Sequence, residues 1–422
     1  MSGAKTALDE KGSRCESGAT AITVFRLVSA LTIGRKSEKA QRPGEIPPIS
    51  QETCLACWFN AFLGKWERAS RVDGSIRAVS ASSCPGDAVL FGGMRVIHGG
   101  NVWEGNPARW LDFSANLRPE GTPGWVTDAM ESALADVCYY PDRAMKRARR
   151  GLAAYAGVPE DCILPTAGGA AAIDLVLQQR KGRVLTLNPT FCEYAERAAV
   201  HGRPHDIWQG ECVPDDTVFI TNPNNPTGAV MTRSELLAHH QHIVDRGGEL
   251  IVDEAFIDFC PEHSVVRDVQ TGLTVVGSMT KTLCIPGVRL GYICGAPEVI
   301  AALEKRMLTW SLCTLATEIA ARLPEHLDQI RHDAAINRVR RERFMQQLTG
   351  LGAAVQPSKA NFLLVNFKQD MTCIAAALKE RGILVRTCTS FGLPASILRL
   401  AVKTEEQNDQ LIRELEALLH AR

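Results

Sequence analysis

The sequence predicts an α/β fold in which a large domain, built on a mixed and mostly parallel sheet, is followed by a smaller α+β domain. From about residue 150, short apolar runs alternate with helical patterns, as in parallel sheets that carry helices on both faces. Two of these runs end at polar residues, Asp253 and Ser278, and ligands of such sheets gather at the carboxyl ends of strands. After Pro297 the pattern becomes helical and then returns to strands, which indicates the second domain.

The predicted elements follow in chain order. Helices of the larger domain are expected near 169–180 and 232–247, and its strands at 183–187, 217–221, 249–253, 274–278 and 290–294. The smaller domain is helical to about residue 350, and its strands are expected at 362–366, 384–388 and 397–401, before a helix that starts at Thr404.

These patterns divide the chain into four parts. Residues 94–145 form an N-terminal arm and the start of the small domain, 146–296 the large domain, and 297–422 the C-terminal small domain. Residues 1–93 mix Ser, Gly and Pro clusters with brief apolar pieces, so we expect an extension that is poorly ordered or loosely docked. Because Met94 directly precedes the first motif-rich segment, a chain that starts there is expected to fold and keep full activity.

Composition excludes several classes of function. The formal net charge is zero and the pI is about 7.1, so no broad electrostatic attraction to nucleic acid or an anionic membrane is expected. No apolar run reaches the ~18 residues that cross a bilayer. The 14 cysteines are scattered in apolar contexts, which predicts reduced thiols in a cytoplasmic protein. Cys54 and Cys57 have metal-ligand spacing but lack a second pair, so we predict no metal site.

The stretch from Ser278 to Tyr292 carries the strongest chemical signal. A hydroxyl-rich turn presents Lys281, and eight residues later Arg289 stands between glycines. A lysine forms an imine with an aldehyde only through its neutral amine, so such a lysine must be partly desolvated. Ser278 and Arg289 could hold a phosphate carried by the same aldehyde. A strand followed by a charged loop is the alternative reading of this stretch alone.

Further motifs occur at consistent separations from that lysine. Asp253 lies 28 residues before Lys281, and Asn225 lies another 28 residues before Asp253. The glycine turn at Gly168 and Gly169 opens a predicted helix, whose backbone N–H groups suit an anion. Each motif has an ordinary alternative, a tight turn or a helix cap. Their joint occurrence favours one site.

With these motifs the chain resembles the fold-type I pyridoxal-phosphate enzymes of the class I/II aminotransferase group, from about Ile97 to the C-terminus. The resemblance implies the PLP-dependent transferase fold and pyridoxal 5′-phosphate as cofactor. Lys281 matches the lysine that binds the cofactor covalently and moves protons. Asp253 matches the carboxylate that pairs with the ring nitrogen, Asn225 the donor to the ring O3′, and Phe191 the aromatic that stacks on the ring.

The same resemblance implies a phosphate site and a dimer. Ser278, Arg289 and the amides of Gly169 and Ala170 would hold the cofactor phosphate. A phosphate carries roughly −1.5 to −2 charges, and a helix N-terminus supplies only about +0.5, so Arg289 is needed. Tyr140 matches a tyrosine that reaches the cofactor phosphate of the neighbouring subunit, which implies a homodimer with shared active sites.

Two positions depart from the family pattern. Phe256 stands three residues after Asp253, where many relatives carry a tyrosine that donates to O3′. Ala170, Ala171 and Ala172 follow the glycine turn, where relatives often place hydroxyl or acidic side chains. The ring oxygen is therefore expected to depend on Asn225, and the glycine turn on backbone amides alone.

The residues expected to bind the substrate lie far from the lysine motif. Arg399 matches the arginine that clamps a substrate carboxylate, and Arg386 matches one that binds a substrate phosphate in the histidinol-phosphate aminotransferase branch. A structural salt bridge is the alternative for either arginine. The opening segment resembles the threonine-phosphate decarboxylases of cobalamin biosynthesis, in which such a segment binds the substrate phosphate. Its residues assigned to the substrate are His98, Gly99, Asn101 and Asn116.

The leading hypothesis is therefore a PLP-dependent decarboxylase that converts L-threonine O-3-phosphate to (R)-1-amino-2-propanol O-2-phosphate and CO₂. Serine phosphate stays open as a second substrate because one methyl contributes only ~1 to 3 kcal/mol of discrimination. The alternative is a histidinol-phosphate aminotransferase, or another aminotransferase of phosphorylated amino acids. A remoter one is a PLP-binding transcriptional regulator, although residues 1–93 contain no convincing helix-turn-helix pattern.

Overall fold

The computed structural model describes residues 98–420. The predicted extension, Met94 and the Cys54–Cys57 pair lie outside these residues. The strands are β1 Leu111–Asp112, β2 Ile163–Thr166, β3 Val184–Thr186, β4 His205–Ile207, β5 Thr217–Thr221, β6 Glu249–Asp253, β7 Leu273–Ser278, β8 Gly291–Cys294, β9 Ala354–Val355, β10 Phe362–Asn366, β11 Ile383–Leu384, β12 Arg386–Thr387 and β13 Ile397–Ala401.

The α-helices surround these strands. They are α1 Gly124–Ala133, α2 Lys146–Ala156, α3 Gly169–Val176, α4 Glu193–Val200, α5 Arg233–Val244, α6 Pro297–Glu304, α7 Thr314–Arg322, α8 Leu327–Gly350, α9 Thr372–Glu380 and α10 Glu405–His420. Across the described range, none of them is long and apolar enough to cross a membrane.

The large sheet is mixed and mostly parallel, as predicted. Its strand order is β2-β8-β7-β6-β5-β3-β4, in which β4, β3, β5, β6 and β7 are parallel and β8 runs against both of its neighbours. All residues of β5 and β6 are buried, because the sheet is covered on both faces. The register pairs Thr221 with Asp253 and Asp253 with Val276, two residues before Ser278. Three strands thus present polar residues at one edge of the sheet.

The second sheet is antiparallel, with strand order β12-β13-β10-β9. Its core contains Phe344 of α8, Leu363 of β10 and Leu411 of α10. The N-terminal segment joins this domain, because β1 pairs in parallel with β11 and the buried side chain of Phe113 packs in the same core. The segment that carries His98 is therefore held by the small domain.

The hydrophobic cores do not follow the predicted divisions at residues 145 and 296. The core of the large domain contains Val126 and Ala129 of α1, from before residue 146. It also contains Ile300 of α6, Ala316 of α7 and Ile330 of α8, from after residue 296. α2 packs against α7, which joins helices from before and after the large sheet in one core.

The packing of α2 on α7 requires a glycine. A Cβ added at Gly151 of α2 would lie 2.0 Å from the carbonyl oxygen of Ala320 in α7. A backbone atom cannot rotate away as a flexible side chain can, so the two helices would have to separate.

We expect Gly151→Ala to lower the free energy of unfolding by about 1–3 kcal/mol, although alanine is the better helix former. The midpoint of urea unfolding measures this change. Gly124→Ala is the control, since a Cβ at that first residue of α1 meets nothing within 4 Å. An unchanged midpoint for Gly151→Ala would show that the helices separate without cost.

Candidate active site

A cavity of about 230 Å³ lies at the carboxyl ends of β5, β6 and β7. Lys281 and Asp253 both line it, together with every other predicted site residue except Asn101 and Tyr140. A larger cavity of about 450 Å³ is lined by acidic, tyrosine and arginine residues but, among the described residues, by no lysine. The chemistry of the lining therefore identifies the smaller cavity as the candidate active site.

Lys281 projects from the turn that follows β7 and has an amine suited to attack an aldehyde. Burial, and then the positive charges of Arg399 and Arg289, lower the pKa of Lys281 to about 8. The charged form loses water and gains repulsion, so roughly a tenth of the amine is neutral at pH 7, far more than in an exposed lysine. Such an amine can form an imine and can accept or release a proton.

Asp253, the last residue of β6, is buried and held by two hydrogen bonds. Its Oδ2 accepts from the Tyr194 hydroxyl at 2.6 Å and its Oδ1 from the amide of Ala255 at 2.9 Å. Burial raises the pKa of Asp253, and the Tyr194 and Ala255 bonds act in the opposite direction. A cationic partner in the cavity would complete the stabilisation of its carboxylate.

Tyr194 was not among the predicted site residues. It is buried in the first turn of α4, and Thr221 at the end of β5 lies 2.8 Å from its hydroxyl. Its ring meets that of Phe191 edge-on, with centroids 5.8 Å apart, so its closeness in sequence to the predicted stacking residue could have signalled this role.

The turn before α3, Ser278 and Arg289 form a cradle of phosphate size. A Cβ added at Gly168, which has φ of 87°, would lie 2.6 Å from Arg289 Nη2, and one at Gly169 would lie 3.4 Å from Ser278 Cβ. At Gly168 the positive φ and the close approach of Arg289 favour glycine, whereas the contact at Gly169 is an ordinary one. The amides at the start of α3 and the guanidinium of Arg289 therefore face one small volume, and their predicted role in holding a phosphate stays a prediction.

Two buried arginines face the cavity from the small sheet. Arg386 and Arg399 are 4% and 6% exposed and stand opposite each other on β12 and β13. Arg399 donates to Asn225 Oδ1 at 2.7 Å and to the carbonyl of Ser114 at 2.6 Å, whereas Arg386 donates to Ser390 Oγ at 2.8 Å. Within residues 98–420 neither forms an ion pair, and Arg399 Nε has no hydrogen-bond partner. The alternative of a structural salt bridge therefore fails for the described residues.

The opening segment borders the same cavity. Gly99 lies so close to Ser114 that an added Cβ would be 2.1 Å from its carbonyl oxygen, and Ser114 Oγ accepts from the amide of Gly100 at 2.8 Å. The His98 ring meets the edge of Phe191 with centroids 6.2 Å apart. Asn116 is buried in the lining, and its Oδ1 has no partner among the described residues.

Two predicted residues lie away from this cavity. Asn101 is exposed and does not line it, because the chain turns outward after Gly100. This position does not support its assignment to the substrate site, which stays a prediction. Tyr140 is 79% exposed and stacks on Trp310, with ring centroids 4.4 Å apart. Its predicted contact with a neighbouring subunit stays a prediction.

Comparison with known proteins agrees with this geometry. Residues 109–415 match the model of the family described as aminotransferase class I and II. A threonine-phosphate decarboxylase of Salmonella typhimurium is 32% identical over 356 residues, which cover 76% of this chain and 96% of that protein. A histidinol-phosphate aminotransferase of Mycobacterium bovis is 32% identical over 311 residues, which cover 70% of this chain and 84% of that protein.

A solved structure extends the comparison to the fold. The crystal structure of L-threonine-O-3-phosphate decarboxylase from Porphyromonas gingivalis superposes with a TM-score of 0.67 at 25% identity, covering 73% of this chain and 99% of that one. The predicted fold class and the resemblance inferred from the motifs are thereby confirmed. The similar proteins catalyse two different reactions.

We expect the Lys281 amine, in protein freed of bound cofactor, to react with pyridoxal at a rate that rises with pH and levels above about 8. Pyridoxal lacks the phosphate, so the rate reports the amine, of which only the neutral form attacks a carbonyl. Borohydride reduction and peptide mass spectrometry measure the reaction. Arg399→Gln should move the rise to higher pH, because it removes a neighbouring positive charge. A rise centred at the ordinary lysine value of 10.5 would contradict the expectation.

Proposed function

The chain belongs to the aminotransferase class I and II family, and we propose that its reaction is the decarboxylation of L-threonine O-3-phosphate to (R)-1-amino-2-propanol O-2-phosphate in cobalamin biosynthesis. The observation that carries this proposal is the pair of buried arginines, Arg386 and Arg399, that face the cavity without an acidic partner among residues 98–420. Buried guanidinium groups require anions. A substrate with one carboxylate and one phosphate supplies both.

Pyridoxal 5′-phosphate is the cofactor, and when bound it withdraws electrons from the bond that breaks at the substrate's α-carbon. The residues present fit it. Arg289, Ser278 and the amides of Gly169 and Ala170 would hold its phosphate, since they surround one small volume beside the N-terminus of α3. Lys281 offers the neutral amine that the covalent bond requires.

Three further residues would orient the ring. Asp253 would pair with the protonated ring nitrogen, because its buried carboxylate has hydrogen-bond donors but no cation within bonding distance in the described structure. Asn225 has its amide oxygen occupied by Arg399, so its NH₂ group is left to donate to the ring oxygen. Phe191 would stack on the ring from the other wall of the cavity.

The substrate arginines would select the bond that breaks. Arg399 would hold the carboxylate through its unpaired Nε–H and a neighbouring N–H, and Arg386 would hold the phosphate. Two fixed anionic groups leave the substrate little rotational freedom, so the carboxylate is held in one direction relative to the ring. Lys281 would then return a proton to the α-carbon, as its pKa of about 8 permits near neutral pH.

The opening segment favours the decarboxylase over the aminotransferase. His98 and Gly99 line the same cavity as Arg386, and this opening segment is the feature that resembles threonine-phosphate decarboxylases. Glu193 and Glu196 also approach His98, with ligand atoms of all three residues within 4.8 Å of one another. A phosphate at His98 has to compete with these carboxylates. For this reason the arginines, rather than His98, carry the proposal.

A histidinol-phosphate aminotransferase is the second candidate. The Mycobacterium bovis protein is as similar in sequence as the decarboxylase, at 32% identity. Both arginines suit that reaction as well. Its amino-group donor carries a phosphate, and its amino-group acceptor carries a carboxylate. The two reactions differ in their products.

We also propose a homodimer. Tyr139 and Tyr140 are 69% and 79% exposed, and Leu308, two residues before the Trp310 on which Tyr140 stacks, is 81% exposed. An exposed apolar group of this kind favours contact with a second chain, which would bring Tyr140 to the cofactor phosphate of the partner. Cytoplasmic location remains a proposal from the scattered free cysteines.

Purified protein with pyridoxal 5′-phosphate and L-threonine O-3-phosphate should release CO₂ in proportion to substrate consumed, without added keto acid. Serine phosphate should react about 10- to 200-fold less efficiently, since it lacks one methyl. Lys281→Ala is the inactive control. Amino-group transfer from histidinol phosphate to 2-oxoglutarate, with no CO₂ from either phospho-amino acid, would refute the decarboxylase.

Arg386→Gln should lower kcat/KM for the phosphorylated substrate by at least about 30-fold, the equivalent of ~2 kcal/mol for a lost buried charge pair. Unphosphorylated threonine, a poor substrate, should lose much less. The matched control is Arg331→Gln, because within residues 98–420 Arg331 pairs only with Asp328, which is 97% exposed. Equal losses for the two substrates would exclude Arg386 as the phosphate ligand.

A further inference from the structure

One carboxyl group connects the segment after Asp253 to the turn that carries Lys281. Asp258 lies five residues after Asp253, beside the larger cavity. One of its oxygens accepts a hydrogen bond from the Tyr155 hydroxyl of α2. The other accepts from the Thr282 hydroxyl at 2.5 Å, and Thr282 directly follows Lys281.

The partners of Asp258 are unusual for a buried carboxyl group. Burial raises its pKa, and the hydrogen bonds from Thr282 and Tyr155 oppose that shift. It forms no ion pair with any residue in the part of the chain that the structure describes. A buried carboxylate without a cation costs free energy, which a neutral side chain in its place would avoid. The carboxylate strengthens the hydrogen bonds from Thr282 and Tyr155, because a hydroxyl bonded to a charged oxygen is held more firmly than one bonded to a neutral oxygen.

Thr282 is the side-chain anchor of the lysine turn. Among residues 279–284, its side chain alone hydrogen-bonds to another described residue. The remaining hydrogen bonds are made by the backbone, such as that from the amide of Leu283 to the carbonyl of Met279 at 3.1 Å. The carbonyl of Lys281 accepts from the amide of Arg118 at 3.3 Å, which is a long bond. At the end of the turn the Thr122 hydroxyl donates to the carbonyl of Cys284 at 2.9 Å, whereas Thr282 is bonded directly beside Lys281. The orientation of the turn at Lys281 therefore depends in part on Thr282.

We propose that Tyr155, Asp258 and Thr282 form a positioning network that directs the Lys281 amine toward the cofactor and sets its place relative to Asp253. None of the three lines the smaller cavity, so they act through Lys281 rather than on the reacting atoms. The proposal depends on the role assigned to Lys281 and is independent of which substrate the enzyme takes.

Two substitutions at one position test the network. Thr282→Val removes the hydroxyl and keeps the shape, whereas Thr282→Ser keeps the hydroxyl. A misdirected amine should lower kcat of Thr282→Val by about 10- to 100-fold, with KM changed by less than about threefold because the substrate arginines are untouched. Thr282→Ser should restore most of the activity.

A second measurement separates positioning from stability. In cofactor-free protein, the initial rate of pyridoxal attachment to Lys281, followed by borohydride reduction and mass spectrometry, should fall in Thr282→Val and recover in Thr282→Ser. Thermal unfolding of the same samples reports the fold. A lower unfolding midpoint with unchanged kcat and unchanged labelling would show a purely structural contact and overturn the proposal.

A second variant keeps the test decisive. If Thr282→Val does not fold, Asp258→Asn replaces it, since the amide keeps the size but has one acceptor oxygen for two hydroxyls. If Asp258→Asn has the same kcat and the same rate of pyridoxal labelling as the wild-type protein, the proposed network is equally overturned. Absence of threonine-phosphate turnover in wild-type protein would refute the proposed function alone, because the labelling comparison needs no substrate.

Discussion

The structure depends on one constraint, which is that several positive charges are concentrated in one partly buried cavity. Lys281, Arg289, Arg386 and Arg399 line the same volume as one carboxylate, Asp253. The lysine responds by losing its proton more readily, with a pKa of about 8. Burial also lowers the pKa of Arg399, to about 10, but a guanidinium starts from a higher value and so stays charged near neutral pH. The charges of the three arginines remain and need anions that the lining does not supply. A phosphorylated cofactor and a substrate with two anionic groups would supply them.

The protein reduces this cost with contacts that also shape the site. Arg399 belongs to the small sheet, yet it donates to Asn225 after β5 and to the carbonyl of Ser114 in the N-terminal segment. These bonds join three parts of the chain and orient the Asn225 amide at the same time. Ser114 further holds the amide of Gly100 at the border of the cavity. Truncating Arg399 would therefore disturb the geometry of the cofactor site as well as substrate binding.

Much of the large domain could be predicted from local pattern. Apolar runs of five or six residues, such as β5, β6 and β7, are long enough for their composition to indicate strands. Strands of two or three residues are too short for any period, so β4 was missed and the strand predicted at 384–388 is two short strands, β11 and β12. The predicted domain boundaries at residues 145 and 296 differ from the limits of the observed hydrophobic cores for another reason. Burial of α1, α6 and α7 on the large sheet depends on packing across the whole chain, which local composition does not encode.

The sequence by itself determined which residues of the proposed cofactor site line one cavity. Lys281, Asp253 and Asn225 follow apolar strands, and parallel strands bring their carboxyl ends to one edge, so a local pattern is sufficient to assemble them. Only the tertiary structure decided the contacts between distant segments. The Tyr194 bond to Asp253, the pairing of Arg386 with Arg399 across two strands, and the Tyr155–Asp258–Thr282 network belong to this second group. The outward turn of Asn101 does so as well. Their geometry depends on strand register and helix packing, because the residues that meet are set side by side by the fold and not by their spacing in the chain.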